Sequence, residues 1–168
     1  VLPATTEALG LDASSGQVLW RFRAPSDGER GPGSVNAGTP ALTDSRAFIA
    51  AFGPSLTALD LRTGAVAWQW VPPDTFSFRA GASGAAVSGD TVYIAGWTWL
   101  DADGLTTQQW LMAFSASTGQ QLWQVAQAEP AQFVAVVAPP VIVGRTVALT
   151  LNVRRQVFVF DRFTAEPL

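Results

Sequence analysis

"ALDLRTGAVAW", residues 58–68, reads as a strand, a tight turn and a second strand that ends in a tryptophan. Two other stretches repeat it, "GLDASSGQVLW" at 10–20 and "AFSASTGQQLW" at 113–123, and "VFDRFTAEPL" at 159–168 is a shorter fourth copy. The polar residue that opens each turn is Asp12, Asp60, Ser115 and Asp161, at intervals of 48, 55 and 46 residues. Self-similarity at a period near fifty residues marks a chain built from stacked units, each too small to bury its own apolar face. In the three complete copies a tryptophan, Trp20, Trp68 or Trp123, follows eight residues after the polar position.

Each part of the repeat has a physical reason. An Asp or Ser at the start of a turn accepts hydrogen bonds from backbone N–H groups two residues on, and the hydroxyls of Ser15, Thr63, Thr118 and Thr164 do the same more weakly. Gly16, Gly64 and Gly119 supply the positive φ that a tight strand-to-strand turn demands. Ala165 breaks that pattern, and the expectation is a different turn geometry or a degenerate last copy. Beyond the glycine the alternation of period two resumes, so the tryptophans lie on one face of a strand.

Upstream of each later copy lies another pair of strand-like runs: "TPALTDSRAFIAAF" (39–52), "SGAAVSGDTVYIAGW" (83–97) and "APPVIVGRTVALTL" (138–151). A unit is then four strands in a row, a short inner strand, a longer one and the two joined by the repeated turn. No helical period appears. Four-stranded antiparallel units at this spacing predict an all-β chain with the architecture of a β-propeller, comparable to that of WD40 proteins. The units are a half blade at 1–23, blades at 39–70 and 82–125, the second with an extended hairpin, and an incomplete blade at 137–168. That is about 3.5 blades against the four to eight of a closed propeller, and an open arc exposes strand edges. The sequence therefore reads as a fragment of a longer propeller, or as a chain closed by a partner, a second copy included.

Composition narrows the chemistry. The chain has 168 residues, 48% of them hydrophobic and 14% charged, a net charge of −3 and ten cationic residues, all arginine. Without clustered cations it has no footprint for nucleic acid. No apolar run approaches the ~20 residues of a membrane span. Cysteine, histidine and lysine are all missing. Disulfides, thiolate or imidazole metal ligands, a Ser-His-Asp triad and a lysine Schiff base are thereby excluded.

The spacing Ala58-x-Asp60-x-x-Thr63-Gly64-x-x-x-Trp68 resembles the repeat of the pyrroloquinoline-quinone (PQQ) type β-propellers. That family includes quinoprotein dehydrogenases and non-enzymatic outer-membrane assembly lipoproteins. The resemblance implies that Trp20, Trp68 and Trp123 stand on outermost strands and pack between blades, near the glycine of the adjacent repeat. In the family's enzymes PQQ is held by charged side chains, a calcium ion and often a disulfide of adjacent cysteines. This chain has no cysteine and no matching acidic cluster, so no cofactor is expected within it, with PQQ and calcium as the alternative.

Sites are expected where the copies differ. Asp101-x-Asp103-Gly104 has the opening of a calcium loop without its downstream acid, and reads otherwise as a hairpin tip. Trp97 and Trp99 share a strand face and are expected to meet Trp110 across that hairpin, as a local core or a binding platform. The loops at 24–38 and 71–81 share one rim of the propeller, where Asp27, Glu29, Arg30, Phe76, Phe78 and Arg79 are candidates for a binding surface. The leading functional reading is a non-catalytic scaffold that binds protein or peptide. The alternatives are part of a quinoprotein dehydrogenase, or a ligand-binding segment of a receptor or kinase. The resemblance places the chain in the periplasm, cell envelope or extracellular space of a bacterium.

Overall fold

The computed structural model describes residues 7–23, 39–51, 55–72, 80–100, 106–130, 138–151 and 156–168. Thirteen strands form four antiparallel sheets among them. The first blade holds β1 (Glu7–Leu11) and β2 (Val18–Arg23). The second holds β3 (Ala41–Leu42), β4 (Arg46–Ala51), β5 (Ser55–Asp60) and β6 (Val66–Trp70). The third holds β7 (Ala80–Ser88), β8 (Thr91–Trp99), β9 (Thr106–Ser115) and β10 (Gln121–Pro130). The fourth holds β11 (Val141–Val143), β12 (Thr146–Leu151) and β13 (Gln156–Asp161). Within each sheet the spatial order is the sequence order, as short hairpin connections dictate. The chain is a partial β-propeller.

Inner strands β3 and β11 are short, as expected, but β7 runs for nine residues. Its register shifts between Ala82 and Ala85, a bulge that accommodates the extra length. All four strands of the third blade are therefore long, and that blade stands taller than its neighbours.

The core lies between blades, in three layers. Ala47, Ile49 and Leu59 of the second blade pack on Ala8, Trp20 and Phe22 of the first. Phe48, Leu56 and Ala58, on the other face of the second blade, meet Trp110, Met112 and Phe114 of the third. Tyr93, Leu111 and Ala113 of the third meet Val147, Leu149, Phe158 and Phe160 of the fourth. Period-two alternation thus gives each sheet two apolar faces, one for each neighbour.

The repeated turn closes alike in all four copies. Gly16, Gly64, Gly119 and Ala165 donate their N–H to the carbonyls of Asp12, Asp60, Ser115 and Asp161 at 2.8–2.9 Å. Ser15, Thr63, Thr118 and Thr164 accept the N–H two residues on at 3.3–3.4 Å. Ala165 does not change the geometry, contrary to the sequence expectation. It adopts φ 63° and keeps the turn, because the Asp161 cap and the strand pairing around it hold the backbone in place. An alanine in the left-handed region carries a steric cost that glycine does not. Ala165→Gly is expected to stabilise the chain by about 1–2 kcal/mol, read as a rise in the urea midpoint at constant slope.

Candidate functional site

The feature that recurs with the most regular geometry is the seat of each tryptophan. β2, β6 and β10 carry Trp20, Trp68 and Trp123 toward the next blade. Trp20 Nε1 donates to Leu61 O at 2.8 Å, Trp68 Nε1 to Ala116 O at 2.9 Å and Trp123 Nε1 to Arg162 O at 3.1 Å. Each acceptor is the residue directly after the polar residue that opens the turn. The indole then lies on the left-handed turn residue: a Cβ on Gly64 would fall 2.7 Å from Trp20, and one on Gly119 2.7 Å from Trp68. Glycine at these positions is therefore required twice, for φ and for the approach of the ring. On its own blade each tryptophan stands opposite or next to a small residue, Gly10, Ala58 or Ala113. The leading Gly or Ala of the sequence motif is thereby explained.

Arginines reinforce two of these seats. Arg46 Nη1 donates to Ala116 O at 2.5 Å and Ser117 O at 2.7 Å, so Ala116 O receives both an indole and a guanidinium. Arg162 Nη1 of the fourth blade donates to Ser88 Oγ of the third. The motif residues accordingly hold blades together.

The carboxylates of the turns are engaged as well. Asp60 Oδ1 accepts the N–H groups of Arg62 and Thr63 and the Thr63 hydroxyl. The Thr63 N–H and hydroxyl hold its pKa below the usual carboxylate range. Where the third copy has Ser115, Asp90 of the β7–β8 turn supplies the missing carboxylate, accepting from Ser117 N at 2.8 Å and Ser115 Oγ at 3.0 Å. In the fourth copy the equivalent position is Arg145, whose Nε donates to Asp161 at 2.5 Å. The two facing positions thus never carry two acids among the described turns.

Asp161 is lowered to about 2, first by that bond from Arg145 and then by the Phe163 N–H. Asp12 falls to about 2 through the Ser14 hydroxyl and the Ser15 N–H. A folded pKa below the unfolded value of about 3.9 means that the unfolded chain binds more protons in acid. The stability these turns contribute is present above about pH 4 and is lost as pH falls toward about 2. The urea midpoint is expected to drop across that window, and Asp161→Asn to flatten part of the drop.

The other sequence candidates separate. Trp110 is not on a binding surface: it is 1% exposed and packs in the layer between the second and third blades. The β8–β9 register sets Trp110 opposite Gly96, and Trp97 opposite Gln109. Residues one step apart in register point to opposite faces, so Trp97 and Trp110 lie on opposite faces of the sheet instead of forming one cluster. Trp97 is half-buried on the side of the fourth blade. Trp99 ends β8, and its side chain lies outside the described residues, as do Asp101, Asp103, Asp27, Glu29, Arg30, Phe76, Phe78 and Arg79. Among the described residues no group of three or more acidic, histidine or cysteine side chains could hold a metal ion. No helix is long and apolar enough to cross a membrane.

A cavity of about 90 Å³ opens between the third and fourth blades, lined by Gln109, Leu111, Val125, Leu149, Phe158 and Phe160. It offers space for a small apolar group and, in Gln109, an amide, with no acid, base or nucleophile among these six.

These sheets, turns and tryptophan seats define a propeller segment of the PQQ-like repeat class. Residues 2–168 match the family described as outer membrane protein assembly factor BamB, and the chain belongs to that family. No curated protein matches the sequence. Among solved structures, a quinohemoprotein alcohol dehydrogenase from Comamonas testosteroni is similar at 15% identity and TM-score 0.73, over 96% of this chain and 31% of its own. A europium-containing methanol dehydrogenase is 12% identical at TM-score 0.74, over 96% of this chain and 37% of its own. A second quinohemoprotein alcohol dehydrogenase, ADHIIG from Pseudomonas putida HK5, is 21% identical at TM-score 0.58, over 77% of this chain and 19% of its own. At these identities the likeness shows the fold, and the chain spans between about a fifth and about two fifths of their lengths.

Proposed function

We propose that this chain is a non-catalytic propeller segment that acts as a protein-interaction scaffold, part of a larger protein of a bacterial envelope. The observation that carries the reading is where the polar groups of the repeat point. Asp12, Asp60, Asp90 and Asp161 bind backbone N–H groups of turns, and the three repeat indoles bind carbonyls of the next blade. The family's description as an outer membrane protein assembly factor supports a role in binding protein. Phe76, Phe78 and Arg79, which the sequence assigns to a rim loop, together with Trp97 and Trp99 of β8, are the proposed recognition face.

Titration of the chain with PQQ and calcium separates the scaffold from a dehydrogenase segment. The scaffold reading expects no saturable change in PQQ absorbance up to about 100 µM, since a specific site would give a dissociation constant well below that. Saturable micromolar binding would overturn the reading in favour of a cofactor-binding segment. On the positive side, a photo-crosslinker at Phe76 is expected to capture an envelope protein, and alanine at Phe76, Phe78 and Arg79 to abolish the capture with Tm unchanged.

A further inference from the structure

The seam between the third and fourth blades is filled differently from the other two. Two residues after each repeat tryptophan, the outer strand sends a second side chain to the same face. In the first blade it is Phe22, 9% exposed in the layer with Ile49 and Leu59 of the second. In the second it is Trp70, whose ring stands 5.0 Å from that of Phe114 in the third. In the third blade the position holds Val125. Valine reaches less far than either ring, and the cavity of about 90 Å³ lies beside it, as a small side chain leaves where a packed layer has room for a large one.

The facing strand records the same difference. Leu59 and Phe114, each directly before its turn, are 0% exposed, and Thr57 and Met112, two places earlier, are 2% and 0% exposed. Their counterparts in the fourth blade, Phe160 and Phe158, are half-buried and line the cavity. Gln109, 5% exposed, brings an amide to the same wall. Its Nε2 donates to Thr107 Oγ1 at 3.3 Å, which orients the amide and takes up one of its two N–H groups. No residue of the wall is charged, and the exposed Ala126 stands at the mouth.

We infer that this cavity is a binding site for a small neutral aromatic molecule of the phenol class, one six-membered ring whose hydroxyl hydrogen-bonds the Gln109 amide. The ring follows from the two seams in which Phe22 and Trp70 occupy the corresponding place. Size limits the ligand to one ring, since an engineered apolar cavity of about 150 Å³ holds benzene. Neutrality follows from the wall, where a carboxylate or an ammonium would be buried without a charged partner. The site goes beyond the scaffold reading and does not depend on it.

Phenol titrated into the 168-residue chain and followed by methyl NMR is expected to shift Leu111, Val125 and Leu149 saturably, with a dissociation constant of about 1 mM or tighter. At about ten times that constant it should raise Tm by about 3–6 °C. Benzoate at the same concentration should do neither. Gln109→Leu is expected to weaken phenol about fivefold, the loss of one hydrogen bond, and to leave benzene binding unchanged. Val125→Phe places a ring in the cavity, and is expected to raise the Tm of the free chain and abolish the phenol shifts. Should Val125→Phe fail to fold, Leu149→Phe, from the facing wall, replaces it. Four results would overturn the inference: no saturable shift up to about 20 mM phenol, phenol binding unchanged in the ring-filled variant, benzoate binding as tightly as phenol, or equal losses of phenol and benzene in Gln109→Leu.

Discussion

Trp68→Ala is expected to destabilise the chain by about 3–5 kcal/mol, the range for truncating a large aromatic at a packed position. That is a large fraction of the 5–15 kcal/mol that holds an ordinary domain together. The indole touches the layer around Phe48, with ring centroids 5.8 Å apart, lies on Gly119 and bonds Ala116 O. Its removal opens the seam between the two complete blades, whereas Trp20 and Trp123 join blades of two and three strands. Trp68→Phe separates packing from hydrogen bonding. It keeps an aromatic ring in the seat and loses the N–H, while Ala116 O retains the bond from Arg46. The expected cost of Trp68→Phe is about 1–2 kcal/mol. Urea unfolding of the two variants beside the parent chain measures both numbers. Equal costs for Phe and Ala would show that the indole N–H, and not the ring, carries the seam.

Much of this architecture was legible because it is repeated. Asp60, Thr63, Gly64 and Trp68 recur at fixed spacing, and chance does not hold a polar opener, a left-handed residue and an aromatic in register three times. The repetition placed the tryptophans on one strand face, and only the resemblance to the PQQ-type repeat implied a position between blades, where their indoles bond carbonyls of the next blade. What stayed hidden depended on pairing between distant residues. Trp97 and Trp110 are assigned to faces by the β8–β9 register, which a one-residue slip would reverse and which no local pattern in that hairpin fixes. Ala165 keeps the turn because the surrounding bonds over-determine a conformation that alanine alone disfavours. The replacement of Asp by Ser115 had a visible clue in Asp90 on the preceding turn. The link needed the fold, which brings two turns 25 residues apart into contact.

Gly119→Ala tests whether glycine serves the turn alone or also the blade interface. A Cβ there would stand 2.7 Å from Trp68 Cδ2 and 2.8 Å from Cε3, and the ring has little freedom to retreat between Phe48 and its bond to Ala116 O. The substitution is expected to cost about 2–4 kcal/mol, combining left-handed strain with overpacking. Gly144 is the control: its φ is 56° and nothing lies within 4 Å of its Cβ position, so Gly144→Ala carries the strain alone, about 1–2 kcal/mol. A double-mutant cycle then isolates the contact. In a Trp68→Ala background the cost of Gly119→Ala should fall to that of Gly144→Ala, a coupling of about 1–2 kcal/mol between residues 51 positions apart. Additive effects would mean that Gly119 answers only to its own backbone, and the seat would then rest on the indole hydrogen bond and the apolar layer around it.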